Sequence, residues 1–271
     1  MKIALIGCGV IGRAITKAVR DGIIKASLSC LYDTDRARSR ELSDILHPKL
    51  RICRDIKEIL ASDAELVVEA ASQKAVMDHA SQVLKAGKSL LIMSVGALLD
   101  EKLYNTLEGI AEERGVKIYL PSGAIGGLDA MRGASIGKIF EVKLVTTKHP
   151  RALAGAPYLV RKGINIRDID KKMVIYEGSA LEAVKEFPAN INVSATLSLA
   201  GIGAAKTMVI IVADPGVKRN IHEVTAKGDI GSFTVRFENL PSPENTRTSF
   251  LAALSAIATL KRLSSPVEVG T

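Results

Sequence analysis

Over the first 121 residues, short apolar runs of strand length alternate with amphipathic stretches of helical period. That alternation is the pattern of a parallel sheet covered on both faces. The runs predict strands at 2–6, 27–32, 65–70, 88–93 and 116–120, a shorter one near Ile52, and helices at 10–20, 36–46, 72–86 and 100–114. Beyond residue 121 the pattern changes to longer strands of period two, at 138–147, 172–178, 206–213, 221–227 and 231–238. Gly228-Asp229 and Gly231 make the last two a hairpin. This second region reads as a mainly antiparallel sheet with helices on one face. The uncharged stretch from Phe187 to Ala205 carries Pro188, Asn190, Asn192, Ser194, Thr196 and Ser198, so it reads as a buried helix and no membrane span is expected. Helical spacing returns from Asn245 to Leu263, where Phe250, Leu251, Leu254, Ile257 and Leu260 form a stripe predicted to pack back on the first domain.

The first run leads straight into Gly7-Cys8-Gly9-Val10-Ile11-Gly12, which opens a helix. In that setting the first glycine permits a tight turn, the second lets backbone approach a pyrophosphate, and the third lets helix and strand pack closely. A glycine-rich turn alone would be weak, but Asp33 strengthens it, ending the second strand twenty-one residues beyond Gly12. There a carboxylate can accept hydrogen bonds from both hydroxyls of an adenosine ribose. Gly7, Gly9, Val10, Ile11, Gly12 and Asp33 are therefore the candidate dinucleotide contacts, and the fold class is α/β with a Rossmann-type doubly wound parallel sheet. Asp33 favours NAD, since it would repel the 2′-phosphate of NADP, yet Arg36 and Arg38 follow closely and could pair with that phosphate. Ala70-Ala71-Ser72 and Ser94-Val95-Gly96-Ala97, at the carboxyl ends of two later strands, are expected to line the cofactor cleft.

Lysine and arginine number 37 against 29 acidic residues, a net charge of +8. The basic residues are scattered, and with no Trp, five Tyr and five Phe the chain lacks the stacking platforms of a nucleic-acid binder. A positive field suits a phosphate-bearing cofactor and an acidic substrate; an ordinary solvated surface explains the charge equally well. Cys8, Cys30 and Cys53 are odd in number and lack CxxC spacing, which implies reduced thiols, a cytoplasmic protein and no metal site. A strand starting at Lys2 leaves no room for a targeting segment.

Of the four histidines, His47 and His79 read as surface or packing residues, and His149 lies at a strand end. His222 is the candidate for chemistry, since it begins a strand just after the loop from Asp214 to Asn220. Alternation puts it on the face of Val224 and Ala226, so a satisfied, partly buried histidine would explain it without any catalysis. Asn190 has two open readings, a helix cap and a side-chain amide reaching the nicotinamide end of a cofactor.

Four segments carry a resemblance: the glycine loop, Pro121-Ser122-Gly123-Ala124-Ile125-Gly126-Gly127-Leu128-Asp129, Phe187-Pro188-Ala189-Asn190-Ile191-Asn192-Val193, and Ala213-Asp214-Pro215 followed by Arg219-Asn220-Ile221-His222-Glu223. Along essentially its whole length the chain resembles the L-aspartate dehydrogenases of archaea and bacteria. The resemblance implies NAD(P)-dependent oxidation of L-aspartate to iminosuccinate, reversibly the reductive amination of oxaloacetate with ammonia, feeding quinolinate synthase in NAD biosynthesis. It implies an active-site histidine at position 222, cofactor contacts at Ala124 and Asn190, and a homodimer. It also implies an open-faced sheet in the second domain, in keeping with the change of pattern after residue 121 and the returning C-terminal helix, which together predict a dinucleotide domain of residues 1–121 and 244–271 and an α+β domain over 122–243 for substrate, catalysis and dimerisation.

On that reading a neutral His222 accepts a proton from the substrate ammonium, as an ordinary imidazole pKa near 6.5 permits. Two substrate carboxylates call for donors or cations, and the candidates by location are Lys148, Arg219, Thr146, Thr147 and Ser194. The rival readings are a two-domain reductase of homoserine or dihydrodipicolinate type, and a noncatalytic NAD-responsive redox sensor. A dihydrodipicolinate reductase would carry a His-His-rich motif followed by lysine, which is absent from this chain.

Overall fold

In the computed structural model, residues 1–46, 48–188, 191–242 and 245–270 are described. The chain divides into two compact units, residues 1–121 with 253–269, and residues 122–252 with 270–271.

The first unit is built on strands β1 (Lys2–Ile6), β2 (Ser27–Tyr32), β3 (Arg51–Ile52), β4 (Leu66–Glu69), β5 (Ser89–Ile92) and β6 (Ile118–Tyr119). They form one sheet in the order β3-β2-β1-β4-β5-β6 with every pairing parallel. This is the doubly wound order, whose direction reverses between β1 and β4. Helices α1 (Val10–Arg20), α2 (Arg36–Ser43), α3 (Ile56–Leu60), α4 (Gln73–Lys85) and α5 (Glu101–Arg114) connect the strands. Side-chain caps set several helix starts: Asp35 accepts from the amides of Ala37 and Arg38, Ser72 from Ala75, and Asp100 from Leu103. Each such cap contributes about 1 kcal/mol. In this unit the short α3 escaped the sequence pattern, because five residues are too few to display a helical period.

The second unit holds a five-stranded sheet of β7 (Ile139–Lys148), β8 (Met173–Ser179), β9 (Thr207–Ala213), β10 (Asn220–Gly228) and β11 (Gly231–Asn239), in the order β11-β10-β7-β9-β8. All pairings are antiparallel except β7 with β9. Helices α6 (Leu128–Ala134) and α9 (Asn192–Ala200) cover one face, where Met131 and Leu197 share a core with Val142, Leu144, Val224 and Ala226. Shorter helices α7 (Pro157–Lys162) and α8 (Ala180–Glu186) complete the unit. On the opposite face Glu223, Thr225 and Arg236 are half-buried or exposed. The fold class therefore agrees with the sequence reading, with one parallel pair inside the antiparallel sheet.

The segment 245–263 differs from expectation. Residues Asn245–Ser249 form strand β13, paired with the short β12 (Pro241–Ser242), and only Phe250–Leu263 is helix, α10. The buried face of α10 is Ala253, Ala256 and Leu260, while Phe250 and Leu254 are 44% and 41% exposed. The stripe is rotated toward alanines because small side chains let the helix approach closely. Ala256 and Leu260 join Ile3, Leu5, Ile15 and Leu31 in the core of the first unit.

Candidate functional site

In the first unit the glycine loop joins β1 to α1. Gly7 has φ +100, and a Cβ there would lie 2.5 Å from the Ala70 carbonyl oxygen. A Cβ on Gly12 would sit 2.2 Å from the Gly7 carbonyl oxygen. Both glycines are therefore required by close backbone approach, whereas a Cβ on Gly9 would meet nothing within 4 Å. Gly9 takes the capping position of α1 and has no side chain to occupy the first amides of that helix. Val10 and Ile11 open the helix, so their N–H groups lie where a helix start attracts an anion.

Asp33 is fixed beside this loop. Its Oδ2 accepts from the Cys8 amide at 2.7 Å and its Oδ1 from the Asp35 amide at 2.8 Å. Arg36 turns elsewhere, donating to the carbonyls of Cys53 and Arg54 at 2.8 Å each. Arg38 reaches the Asp35 carboxylate at 3.2 Å. An open space at Gly9, a bare helix start and a fixed carboxylate fit a dinucleotide. Gly7, Gly9, Val10, Ile11, Gly12 and Asp33 are thus brought together as one cradle.

In the second unit, β7 and β10 pair so that His222 faces Thr146 and Ile221 faces Thr147. Cross-strand partners share a face, and alternation puts Lys148 and Asn220 on that face too. His222 is 3% exposed and Lys148 5%. The imidazole Nδ1 lies 3.0 Å from Thr146 Oγ1. Burial first, and the charge of Lys148 second, lower the His222 pKa to about 3. Burial alone lowers that of Lys148 to about 8. The ordinary imidazole value taken from sequence therefore does not hold in this setting, because desolvation disfavours the charged ring.

The other candidates are placed differently. Thr147 points to the face opposite His222, by the same alternation. Ser194 is buried and its hydroxyl donates to the Ile191 carbonyl at 2.9 Å, inside its own helix. Arg219 is exposed, with its guanidinium 3.9 Å from the Glu238 carboxylate. Ala124 is buried, and its carbonyl accepts from the Asn239 side-chain amide at 2.7 Å. Asn190 and His47 lie outside the described residues. His149 accepts from the Arg151 amide through Nδ1, capping a turn, and His79 packs edge to face on Tyr32.

Sequence reasoning missed two residues of the second unit. Asn220 is buried with its side-chain amide 3.3 Å from Ser249 Oγ, and Asn239 holds the loop at Ala124. Amide side chains at the first and last positions of strands that are otherwise alternating are the signal that could have found them. Among the described residues no group of three or more His, Cys, Asp or Glu is placed to hold a metal ion. No helix of the described residues is long and apolar enough to cross a membrane.

Comparison with known proteins finds a match for each part of the chain. Residues 129–263 match the family model described as aspartate dehydrogenase, C-terminal, and residues 7–121 match homoserine dehydrogenase, NAD binding domain. The L-aspartate dehydrogenase of Methanosarcina barkeri is 48% identical over 271 residues, covering the whole of both chains. That of Methanocaldococcus jannaschii is 49% identical over 272 residues, again with full coverage of both. The crystal structure of aspartate dehydrogenase from Thermotoga maritima is 30% identical and covers 100% of this chain and 99% of its own, with a TM-score of 0.79. With a dinucleotide cradle in one unit, a buried histidine and lysine in the other, and relatives of this identity over the full length, the chain belongs to the NAD(P)-dependent aspartate dehydrogenase family.

Proposed function

We propose that this chain catalyses the NAD(P)-dependent oxidative deamination of L-aspartate to iminosuccinate and, in reverse, the reductive amination of oxaloacetate with ammonia. The observation that carries the reading is the buried group of His222, Thr146 and Lys148 on one face of the second sheet. A lysine this deeply buried is a strong site for a substrate carboxylate, since an anion compensates the desolvation of its ammonium. The cofactor supplies the hydride acceptor. His222 takes the proton at Nε2, because Nδ1 is committed to Thr146. With a pKa of about 3 the buried imidazole is neutral but a weak base, so proton acceptance needs a bound substrate that raises its pKa. Burial is the larger cause of the lowered histidine pKa and the Lys148 charge the smaller; a substrate carboxylate beside Lys148 offsets the smaller one and so strengthens the base when substrate is bound.

Lys148 is the carboxylate ligand in this reading, with Thr146 orienting the imidazole. Thr147, Ser194 and Arg219 are secondary candidates: Thr147 points to the opposite face, the Ser194 hydroxyl donates to the Ile191 carbonyl, and Arg219 is exposed. Ala124 and Asn190 are carried from the family resemblance as cofactor contacts. The fixed Asp33 carboxylate, together with the engagement of Arg36 and Arg38 by other groups, supports NAD over NADP. The three cysteines are free and buried, in keeping with a cytoplasmic enzyme whose thiols stay reduced. A homodimer and a product passed to quinolinate synthase complete the proposal. Apolar Val174 and Met208, exposed on the sheet of the second unit, support a second copy covering it.

The test is steady-state kinetics with a panel of amino acids and each cofactor, alongside NADH oxidation with oxaloacetate plus ammonia, aspartate semialdehyde or dihydrodipicolinate. Turnover of aspartate above every other amino acid is expected. Preference for aspartate semialdehyde or dihydrodipicolinate would favour the reductase rivals, and NADH binding with no turnover the redox sensor. Light scattering of the purified protein tests the dimer.

A further inference from the structure

Glu69 is a carboxylate buried in a parallel sheet. It ends β4, in register with Ile6 of β1 on one side and Ile92 of β5 on the other. Its residue is 2% exposed. A charge in that position is stabilised only by dense hydrogen bonding, and the protein supplies it. Oε1 accepts from the amides of Ala71 and Ser72 at 2.8 and 2.9 Å and from the Ser94 hydroxyl at 2.8 Å. Oε2 accepts from the Ser94 amide at 3.0 Å. Burial raises the pKa of Glu69, and these four donors oppose the rise.

The donors belong to two loops that leave the carboxyl ends of β4 and β5. The first, Ala70 to Ser72, is also the surface on which the glycine loop rests. A Cβ on Gly7 would lie 2.5 Å from Ala70 O and 2.8 Å from Ala71 N, and the Ala70 amide donates to the Ile6 carbonyl at 2.8 Å. One side chain therefore holds the β4 and β5 loops directly and supports the β1 loop through contact with backbone. All three meet where the strand order reverses, between β1 and β4, which is where an open α/β sheet binds its ligand.

We propose that Glu69 is a positioning residue for the dinucleotide, whose carboxylate locks the strand-end loops at Ala71-Ser72 and Ser94 and thereby presets the backbone against which the glycine loop presents itself to the cofactor. It acts through those loops and touches no reacting atom. A preformed loop binds more tightly because ordering is not charged against each binding event. The proposal rests on the cofactor lying at the glycine loop, so the experiment separates the two.

Isothermal titration calorimetry with NAD⁺ is performed on the wild type, Glu69→Ala, Glu69→Gln and Asp33→Ala, together with melting temperature and kcat. Glu69→Ala is expected to raise the NAD⁺ Kd about tenfold or more. Glu69→Gln keeps Oε1 as an acceptor and turns an NH₂ toward the Ser94 amide, so its Kd should fall between the two. The aspartate KM should stay within about twofold at saturating NAD⁺. An NAD⁺ Kd unchanged in both Glu69 variants, with or without a lower melting temperature, overturns the role, since a purely structural carboxylate would move stability alone. If Glu69→Ala does not fold, Glu69→Gln decides by the same measurement. Weakened binding in Asp33→Ala alone overturns only the role of Glu69, while unchanged binding in all three variants overturns the placement of the cofactor as well.

Discussion

His222 Nδ1 lies 3.0 Å from Thr146 Oγ1, across a strand pair in which the two residues are direct partners. That contact occupies one ring nitrogen, and the proposed proton route runs through the other, Nε2. For Nε2 to accept a proton, Nδ1 must carry hydrogen and donate to the threonine oxygen, a bond the hydroxyl can accept while it holds the ring in place. Thr146→Val is expected to lower kcat/KM by about tenfold or more and to destabilise the protein by about 1–3 kcal/mol, as it leaves a buried nitrogen without its partner. Thr146→Ser should restore most of both. Wild-type kinetics in Thr146→Val would show that the ring is held by another group.

His222→Ala should cut kcat by about a hundredfold or more while leaving NAD⁺ affinity nearly intact. Calorimetry and single-turnover kinetics on the folded variant check it. Full activity would remove the imidazole from the proton route.

Lys148 bears on the pH dependence of substrate binding. Its ammonium is lowered to about 8 by burial, so it is charged at neutral pH and loses that charge as pH rises through about 8. The aspartate KM should therefore climb above that pH, Lys148→Ala should have a raised KM at every pH, and Lys148→Arg should keep the low KM to higher pH. A KM that is the same at pH 7 in Lys148→Ala as in the wild type would exclude the carboxylate contact.

Acid stability follows from His222. Its folded pKa of about 3 lies below the ordinary 6.5, so between those values the unfolded chain binds a proton that the native state does not. Stability contributed by the neutral ring is full above 6.5 and is lost as pH falls toward 3. His222→Asn should show a shallower fall in melting temperature over this range. Parallel curves for the two proteins would contradict the buried, neutral imidazole.

Cofactor choice turns on Asp33. Asp33→Ser removes the charge that repels a 2′-phosphate while keeping an acceptor for the Cys8 amide, and should shift the ratio of kcat/KM for NADP over NAD upward by about tenfold or more. An unchanged ratio would place specificity elsewhere, and Arg36 and Arg38 are the next positions to vary.

Much of the architecture was legible in the chain because its signals are local. Period-two and period-3.6 patterns depend on near neighbours, and so did Gly7, Gly12 and Asp33, whose spacing from one strand to the next is set by the intervening helix. The segment 245–249 failed for the complementary reason: a strand pairing with Pro241–Ser242 is a nonlocal choice that helical spacing overrode on paper. The rotation of α10 onto Ala253 and Ala256 was equally hidden, since a pattern of large apolar residues does not register a face made of alanines.

For the site, the sequence by itself determined that a dinucleotide cradle opens the chain and that His222 and Lys148 are available near strand ends. Only the tertiary structure decided that Thr146, and not Thr147, shares a face with the histidine, that Arg36 is engaged by carbonyls, and that Glu69 gathers two loops. Register between strands distant in sequence settles which side chains meet, and burial settles their charge. Neither is encoded in any short window of residues, because both arise only when segments far apart in the chain exclude water together.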